Sequence, residues 1–288
     1  NQSFEDLINY SKVLEGCHRH ASTHAAGVVI APGPLIDYVP LFKSSSSEEV
    51  VTQVDMNGLD ELGLLKLDFL GLRNLTVIKK TIDLISEREN KEIDINNINY
   101  NDSEVYDAIF KSAQTIGVFQ FESDGMRENL LNLQPTSIED LIAMNALYRP
   151  GPMANIPEFI SRKKGVSKIT YIHNSLEDIL KETYGIIVYQ EQVMQICSDI
   201  GGFSLAEADI MRRAMGKKKK QLMASYKIKF IEGSEKNKIH KKQAVEIFEL
   251  LEKFAEYGFN KSHSTAYAMI AFQNAWLKTY YPTEFLTA

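Results

Sequence analysis

The segment from Gly63 to Gly71, with the sequence Gly-Leu-Leu-Lys-Leu-Asp-Phe-Leu-Gly, constrains the fold of this chain more than any other. Its apolar residues and flanking glycines predict a buried β-strand. Side chains alternate between the two faces of a strand, so Lys66 and Asp68 lie on one face and three apolar side chains on the other. Ionised side chains on such a strand need a partner. Lys66 and Asp68 can pair with each other on the wet face of an edge strand, or they can hold a phosphate and a metal ion, as phosphoryl transfer requires.

Mixed strand and helix signals in the first ninety residues are followed by a mostly helical remainder. Apolar runs bounded by turn residues predict short strands, whereas apolar stripes at spacings of three and four residues predict helices. A segment rich in Asn and Asp, residues 90–101, separates the two parts. We therefore predict an α+β chain, in which a small mixed α/β domain precedes a mainly helical one. Besides the strand at Lys66, the predicted strands are 28–31, 50–54 and 118–121, and the predicted helices include 3–15, 72–87, 205–215, 218–232, 241–254 and 265–280.

The composition is that of a soluble, two-domain protein. The length of 288 residues suggests two domains, the 44% of apolar residues suffice for a sizeable core, and the 24% of charged residues are typical of a soluble protein. No apolar run approaches the roughly 20 residues of a membrane span. The two cysteines, Cys17 and Cys197, are far apart and follow no pattern. We therefore expect a cytoplasmic protein that does not contact a membrane.

The net charge of −6 argues against a wholly basic nucleic-acid-binding protein, yet residues 211–242 form a strongly basic tract. This tract holds twelve lysines and arginines against two glutamates. Arg212 and Arg213 fall in the last turn of a predicted helix, and Lys217 to Lys220 follow it. One or two cations at a helix C-terminus need no function, because they interact favourably with the helix dipole. Six cations in nine residues favour phosphate binding over a solvated helical face.

Three further segments carry polar residues that can either contact a ligand or serve the fold alone. Arg19 and His24 lie just before a predicted strand, and they can either contact a phosphate group or belong to a loop without a ligand. The spacing of Cys and His residues in this segment matches no common zinc site. The polar residues 260–265 precede a predicted helix, either as an ordinary N-cap or as a group that faces phosphate or sugar. Arg149 precedes Pro-Gly-Pro, a rigid turn that can also present the arginine to a site.

Seven segments, in order, resemble those of the bacterial DNA polymerase III α subunits, the C family of replicative DNA polymerases. The resemblance extends over nearly the whole chain, and the shared order makes it specific. The segments are Arg19–Gly27 (Arg-His-Ala-Ser-x-His-Ala-Ala-Gly), Gly63–Gly71, Gly117–Ser123, Leu147–Pro152, Tyr189–Gln192, Ala208–Lys218 and Phe259–His263.

The resemblance implies a nucleotidyltransferase-like palm, similar to that of polymerase β, followed by helical fingers. On this basis residues 1–16 are the end of a thumb insertion, 17–88 are the second half of the palm and 89–288 belong to the fingers. In the family, three palm aspartates hold two Mg²⁺ ions, and Asp68 matches the third aspartate. The remaining two form an Asp-x-Asp pair upstream.

The resemblance also implies roles for individual cations and polar residues. Lys66, Arg212 and Arg213 match residues that bind the incoming triphosphate. His263 matches a residue near the incoming sugar that contributes to rejecting ribose, and Ser262 lies beside it. The candidates for the DNA backbone are Lys217, Lys218, Lys219, Lys220 and Lys261, and the family-motif residues without an assigned contact are Arg19, His24 and Arg149.

The chain contains no Asp-x-Asp, and the nearest pattern, Asp102-Ser-Glu104, lies in a polar linker. We therefore expect these residues to belong to a polymerase that extends primer–template DNA with deoxynucleoside triphosphates, and to be inactive and free of Mg²⁺ in isolation. The resemblance implies a sliding clamp, a clamp loader and proofreading subunits as partners of the full protein. The competing interpretation is a non-catalytic nucleic-acid- or protein-binding module with a basic surface tract and a structural Lys66–Asp68 pair.

Overall fold

The computed structural model describes residues 2–17, 22–43, 48–216, 220–255 and 257–288. The chain divides into two compact units, Asn1–Leu72 and Arg73–Ala288. The first is a small α/β unit and the second is helical, which confirms the predicted fold class. The predicted division between palm and fingers, after residue 88, stays a prediction. Across the described ranges, every helix is too short or too polar to form a transmembrane span.

The first unit contains two small antiparallel sheets beside a modest core. Strand β1 pairs with β4, with Gly27 opposite Asp68 and Val29 opposite Lys66, and β2 pairs with β3. Val39, Leu59 and Leu64 form the buried centre of this unit. Its elements are α1 (Gln2–Leu14), β1 (Gly27–Ile30), β2 (Leu41–Lys43), β3 (Val50–Thr52), α2 (Met56–Glu61) and β4 (Leu65–Asp68).

Strand β4 forms as predicted, but the prediction that its apolar face is buried is wrong in this chain. Leu65, Leu67 and Phe69 are exposed by 56%, 37% and 65%. The covered face is the one that carries Lys66 and, on β1, Val29, which packs against the core of the unit. A two-stranded sheet can cover one face with so small a core, and here that face carries Lys66, whereas Asp68 at the end of β4 stays half exposed.

The second unit consists of helices with short connections. A π-helix, Tyr106–Lys111, continues α4, which is one turn long. The helices are α3 (Arg73–Glu89), α4 (Ser103–Val105), α5 (Asp124–Leu133), α6 (Ile138–Leu147), α7 (Ile156–Lys163), α8 (Glu177–Leu180), α9 (Gln190–Asp199), α10 (Leu205–Gly216), α11 (Lys220–Lys236), α12 (Lys241–Ala255), α13 (Lys261–Tyr280) and α14 (Pro282–Thr287).

Two large apolar clusters hold this helical unit together. In the first, Phe272 of the long helix α13 meets the rings of Tyr106 and Phe110, with centroids 5.3 and 6.3 Å away. In the second, Phe230 of α11 meets Phe248 of α12 at 5.5 Å, beneath α9 and α10. Burying each ring stabilises the fold by about 1.5–3 kcal/mol. Buried residues of α13 belong to the first cluster and buried residues of α10 to the second, so both helices are anchored in the core of the unit.

Two local predictions of the sequence turn out differently. Residues 118–121 form consecutive turns and not a strand, because Val118 and Phe121 are buried against helices and Gln120 adopts a left-handed conformation, φ 65°. Helix α13 begins at Lys261, four residues before the predicted start. Its N-cap is Asn260, whose side chain accepts a hydrogen bond from the His263 N–H at 2.8 Å. The predicted polar cluster is therefore the first turn of the helix.

Candidate functional site

In the first unit, strand pairing brings together His24, Lys66 and Asp68. The Lys66 ammonium donates a hydrogen bond to Asp68 Oδ1. His24 Nδ1 lies 3.1 Å from Lys66 Nζ and 3.2 Å from Asp68 Oδ1, so the three side chains close a triangle. The Lys66 side chain is only 16% exposed, whereas Asp68 and His24 are each about half exposed. A nearly buried cation thus holds a carboxylate at the surface.

Gly27 makes room for this cluster. It lies opposite Asp68 on β1, and a Cβ atom there would sit 3.0 Å from His24 Nδ1, 3.1 Å from Lys66 Cε and 3.3 Å from Asp68 Oδ1. A side chain at this position would require these neighbouring groups to move by a few tenths of an ångström. Sequence reasoning missed this role of Gly27, although the residue closes the first of the seven family segments.

The charges of the cluster favour an ionised carboxylate. The hydrogen bond from Lys66, followed by the charges of Lys66 and His24, holds the pKa of Asp68 below its usual range. An ionised carboxylate is a preferred ligand of hard cations such as Mg²⁺. Among the described residues, no group of three or more His, Cys, Asp or Glu side chains could hold a metal ion. An ionised Asp68 can serve as a single ligand of such an ion.

A cavity of about 570 Å³ opens beside the cluster, within the first unit. His24, Gly27 and Lys66 contribute to its wall, together with Thr52 and Asp55. The cavity gives a ligand access to the ammonium of Lys66, which is otherwise mostly covered.

In the second unit, Asp209 of α10 holds both predicted phosphate-binding arginines. Its Oδ1 accepts hydrogen bonds from Arg212 Nε and Nη2, at 3.1 and 2.8 Å, and its Oδ2 pairs with Arg213 Nη2 at 2.6 Å. These bonds, those of Arg212 foremost, lower the pKa of Asp209. Arg213 remains 68% exposed. Two guanidinium groups are thus held side by side at a carboxylate, a geometry that also suits a phosphate group.

Some of the predicted contact residues lie outside the described residues, namely Arg19, Lys217, Lys218, Lys219 and the side chain of Lys220. Two other lysines of the basic tract form ion pairs with neighbouring helices, Lys227 with Glu249 and Lys229 with Glu207. The contribution of this tract to DNA binding stays a prediction.

The first turn of α13 places Lys261, Ser262 and His263 together. The ammonium of Lys261 pairs with both carboxylate oxygens of Glu182, at 2.9 and 2.7 Å. The backbone N–H of Lys261 donates to the carboxylate of Glu191 at 3.0 Å. Ser262 and His263 are exposed. Lys261 therefore has a structural partner, and the polar groups that a ligand can reach are those of the two residues after it.

Two aromatic rings contact the imidazole of His263. Its ring lies 5.4 Å from that of Phe259 and 4.2 Å from that of Tyr267, centroid to centroid. Arg149 stacks its guanidinium 4.3 Å from the Phe259 centroid and donates hydrogen bonds to the carbonyls of Ala146 and Tyr257. Burial lowers the pKa of Arg149. The structure thus gives Arg149, unassigned in the sequence, a set of contacts at the start of α13.

Sequence reasoning missed Asp209, Glu182, Glu191 and Phe259 as partners of the predicted site residues. Asp209 precedes the arginines by three and four residues, the spacing of neighbours on one helix face, so its role was readable from the sequence. Glu191 and Phe259 lie within family segments, but nothing in their local pattern identifies the long-range partner.

Two family models and several curated proteins match this chain. The family model of the bacterial DNA polymerase III alpha NTPase domain matches residues 1–71, and that of the bacterial DNA polymerase III alpha subunit finger domain matches residues 74–238. Similar curated relatives are the proteins named DNA polymerase III subunit alpha of Borreliella burgdorferi (53% identity over 99% of this chain), Campylobacter jejuni (52% over 98%) and Bacillus subtilis (49% over 98%). The chain spans about a quarter of the length of these relatives, 25%, 24% and 25% respectively.

Proposed function

This chain belongs to the bacterial DNA polymerase III α-subunit family, and we propose that the whole protein carries out template-directed DNA synthesis in chromosome replication. In this proposal a primer 3′-hydroxyl attacks the α-phosphate of a deoxynucleoside triphosphate, and pyrophosphate leaves. We further propose that the whole protein works with a sliding clamp, a clamp loader and proofreading subunits. The residues of this chain supply one side of the reaction centre and part of the nucleotide site.

The observation that carries the proposal is the Asp68–Lys66 pair on one face of β4, with Gly27 opposite. Asp68 is exposed, ionised and oriented by Lys66, so it suits the part of one Mg²⁺ ligand. Bound Mg²⁺ would neutralise phosphate charge and favour the attacking alkoxide. Because the chain has no Asp-x-Asp, we propose that the other carboxylates come from outside these 288 residues.

The cations of the chain serve the triphosphate in this proposal. Lys66 faces a cavity and can hold a phosphate oxygen, while Arg212 and Arg213 present paired guanidinium groups that can bind phosphate bidentately. The bound triphosphate takes the place of Asp209 on at least one arginine. Positioning of the reactants and stabilisation of negative charge account for most of the catalysis of phosphoryl transfer. These cations therefore need not transfer a proton themselves.

His263 and Ser262, exposed on the first turn of α13, are proposed to face the incoming sugar and to disfavour ribose. Lys217 to Lys220 are proposed to contact the DNA backbone. Lys261, whose ammonium pairs with Glu182, is a further proposed contact to the DNA backbone.

Primer extension by the full-length protein tests the proposal. We expect Asp68→Ala to abolish extension, because no other side chain of β4 can replace its carboxylate. Asp60→Ala, which removes an exposed carboxylate from α2 of the same unit, is the matched control and should leave extension unchanged. Extension that survives Asp68→Ala would contradict the proposed role of Asp68.

The isolated 288-residue chain gives a second test. We expect it to bind DNA or triphosphate in a salt-dependent manner but not to extend a primer, because it supplies one carboxylate of the proposed set. Extension by this chain that depends on Asp68 would refute the expectation of inactivity. DNA binding by a full-length protein that never extends a primer would instead support the competing interpretation, a non-catalytic binding module.

A further inference from the structure

We propose that Arg149 is a positioning residue for His263, and that it sets the preference for deoxyribose over ribose from a distance. The inference rests on the proposed function, in which His263 faces the incoming sugar. The contacts that carry it lie within the second unit, at residues 146–151, 188–191 and 257–267.

Arg149 holds the segment that leads into α13. Its Nη2 donates a hydrogen bond to the Tyr257 carbonyl at 2.9 Å, and its Nε donates to the carbonyl of Ala146, at the end of α6, at 2.8 Å. The same guanidinium lies over the Phe259 ring. One planar group therefore ties α6 to two residues of the segment, and a lysine cannot reproduce both the fork of donors and the stacked plane.

The turn after Arg149 packs against the same segment. Gly151 has φ 98°, a conformation that favours glycine, and a Cβ atom there would lie 2.6 Å from Tyr257 Cε1. Gly151 is thus required both by its backbone conformation and by the ring pressed against it. The Arg-Pro-Gly-Pro turn is a fitted support for Tyr257 and not a generic loop.

A short stretch of backbone pairing also fixes the segment. The Phe259 N–H donates to the Val188 carbonyl at 3.0 Å, and the Gln190 N–H donates to the Phe259 carbonyl at 2.9 Å. Glu191 then accepts the N–H of Lys261 and caps the helix dipole. Residues 257–261 are therefore held by Arg149 and by residues 188–191 immediately before His263.

Phe259 transmits the position of Arg149 to His263. The Phe259 ring contacts the guanidinium of Arg149 and the imidazole of His263, and Tyr267 contacts His263 one turn further along α13. Loss of Arg149 removes the stacking partner of Phe259 and the hydrogen bond to Tyr257 together. A shift of about 1 Å in a positioning group can change a rate 10²-fold, so a smaller effect on sugar selection is expected.

The first experiment does not depend on polymerase activity. In the 288-residue chain, the NMR chemical shift of His263 Hε1 depends on the positions of the neighbouring aromatic rings. The resonance is assigned by its loss in His263→Gln. We expect Arg149→Ala to move this resonance. Arg127→Ala is the matched control, because Arg127 also donates its Nε–H to a backbone carbonyl, that of Ala113 at 3.0 Å, and should not move it. An unmoved His263 resonance in Arg149→Ala overturns the inference, whatever the polymerase assay shows.

The second experiment measures sugar selection in the full-length protein, as kcat/KM for a deoxynucleotide divided by kcat/KM for the matching ribonucleotide. We expect Arg149→Ala to lower this ratio about tenfold, Arg149→Lys not to restore it, and Arg149→Ala to have no further effect in a His263→Ala background. Additive effects of the two substitutions would show that Arg149 acts independently of His263 and would overturn the inference. If Arg149→Ala does not fold, Phe259→Leu tests the same path, since it keeps the backbone pairing and removes the ring.

The two hypotheses fail in different ways. A wild-type protein without Asp68-dependent extension refutes the proposed function, whereas an active protein whose sugar selection ignores Arg149 refutes the positioning role.

Discussion

Replacing Lys163 with methionine should destabilise the helical unit by about 3 kcal/mol. The Lys163 ammonium pairs with Asp140, whose side chain is 2% exposed, while the lysine side chain is 11% exposed. Methionine has a similar volume but leaves the carboxylate buried without a counter-charge. Breaking a buried pair by removal of one partner costs about 3–5 kcal/mol. Asp140 keeps hydrogen bonds from the Thr136 N–H at 2.8 Å and the Tyr184 hydroxyl at 3.2 Å, which places the expected loss at the lower end.

Urea unfolding followed by far-ultraviolet circular dichroism measures this loss, because the unit is mostly helical. With a slope of about 1–3 kcal/mol per molar urea, the midpoint should fall by about 1–3 M. Lys79→Met is the matched control, since Lys79 and Asp83 form an ion pair at i and i+4 with side chains 74% and 49% exposed. That substitution should leave the midpoint unchanged within error.

A double variant tests the electrostatic reason. Asp140→Asn combined with Lys163→Met removes both charges and keeps a hydrogen-bonding side chain at position 140, so it should be more stable than Lys163→Met alone. Equal midpoints for Lys163→Met and Lys79→Met, or a double variant that is less stable than the single one, would refute the claim that an unpaired buried carboxylate causes the loss.

Three further changes have defined outcomes. Gly27→Ala should lower primer extension by the full-length protein at least tenfold, because the new Cβ atom displaces Lys66 and Asp68. The circular dichroism spectrum should stay unchanged. Full activity would show that the cluster tolerates the shift. Lys66→Met should raise the pKa of Asp68, so the Asp68 carboxyl should bind its proton at a higher pH in a ¹³C NMR titration; an unchanged titration would contradict the pairing. Iodoacetamide at pH 8 should alkylate exposed Cys17 but not native Cys197, because burial raises the pKa of Cys197 to about 12; equal labelling of the two would show that the core is open.

Patterns within a single element were predictable from the sequence. The alternation around Lys66 predicted a strand with the two charges on one face, and both hold. Ser204 and Glu207 have the three-residue spacing of a capping box, and the structure shows the reciprocal bonds, 3.1 Å from the Ser204 N–H to Glu207 and 3.3 Å from the Glu207 N–H to Ser204 Oγ. Asp209 with its two arginines belongs to this class, because all three lie on one helix face.

Contacts between distant segments were not predictable in this way. Arg149 and Tyr257 are 108 residues apart, and Lys261 reaches Glu182 across 79. No periodicity within a helix or turn encodes such a partner, since both ends have ordinary local alternatives: Arg149 suits any rigid turn and Lys261 any first helical turn. The same limit explains the error at residues 118–121, where the apolar residues predict a strand although helices bury Val118 and Phe121.

The sequence by itself determined the family, the α+β class, the helical periodicities and the side-by-side placement of Lys66 with Asp68 and of Arg212 with Arg213, because each depends on residue order within one element or one motif. Only the tertiary structure decided which face of β4 is covered and that Gly27 leaves room for the cluster. It also decided that Arg149 stacks on Phe259, whose ring in turn contacts His263. Those features depend on packing between segments far apart in the chain, where steric fit and long-range hydrogen bonds select one arrangement among many that local preferences allow.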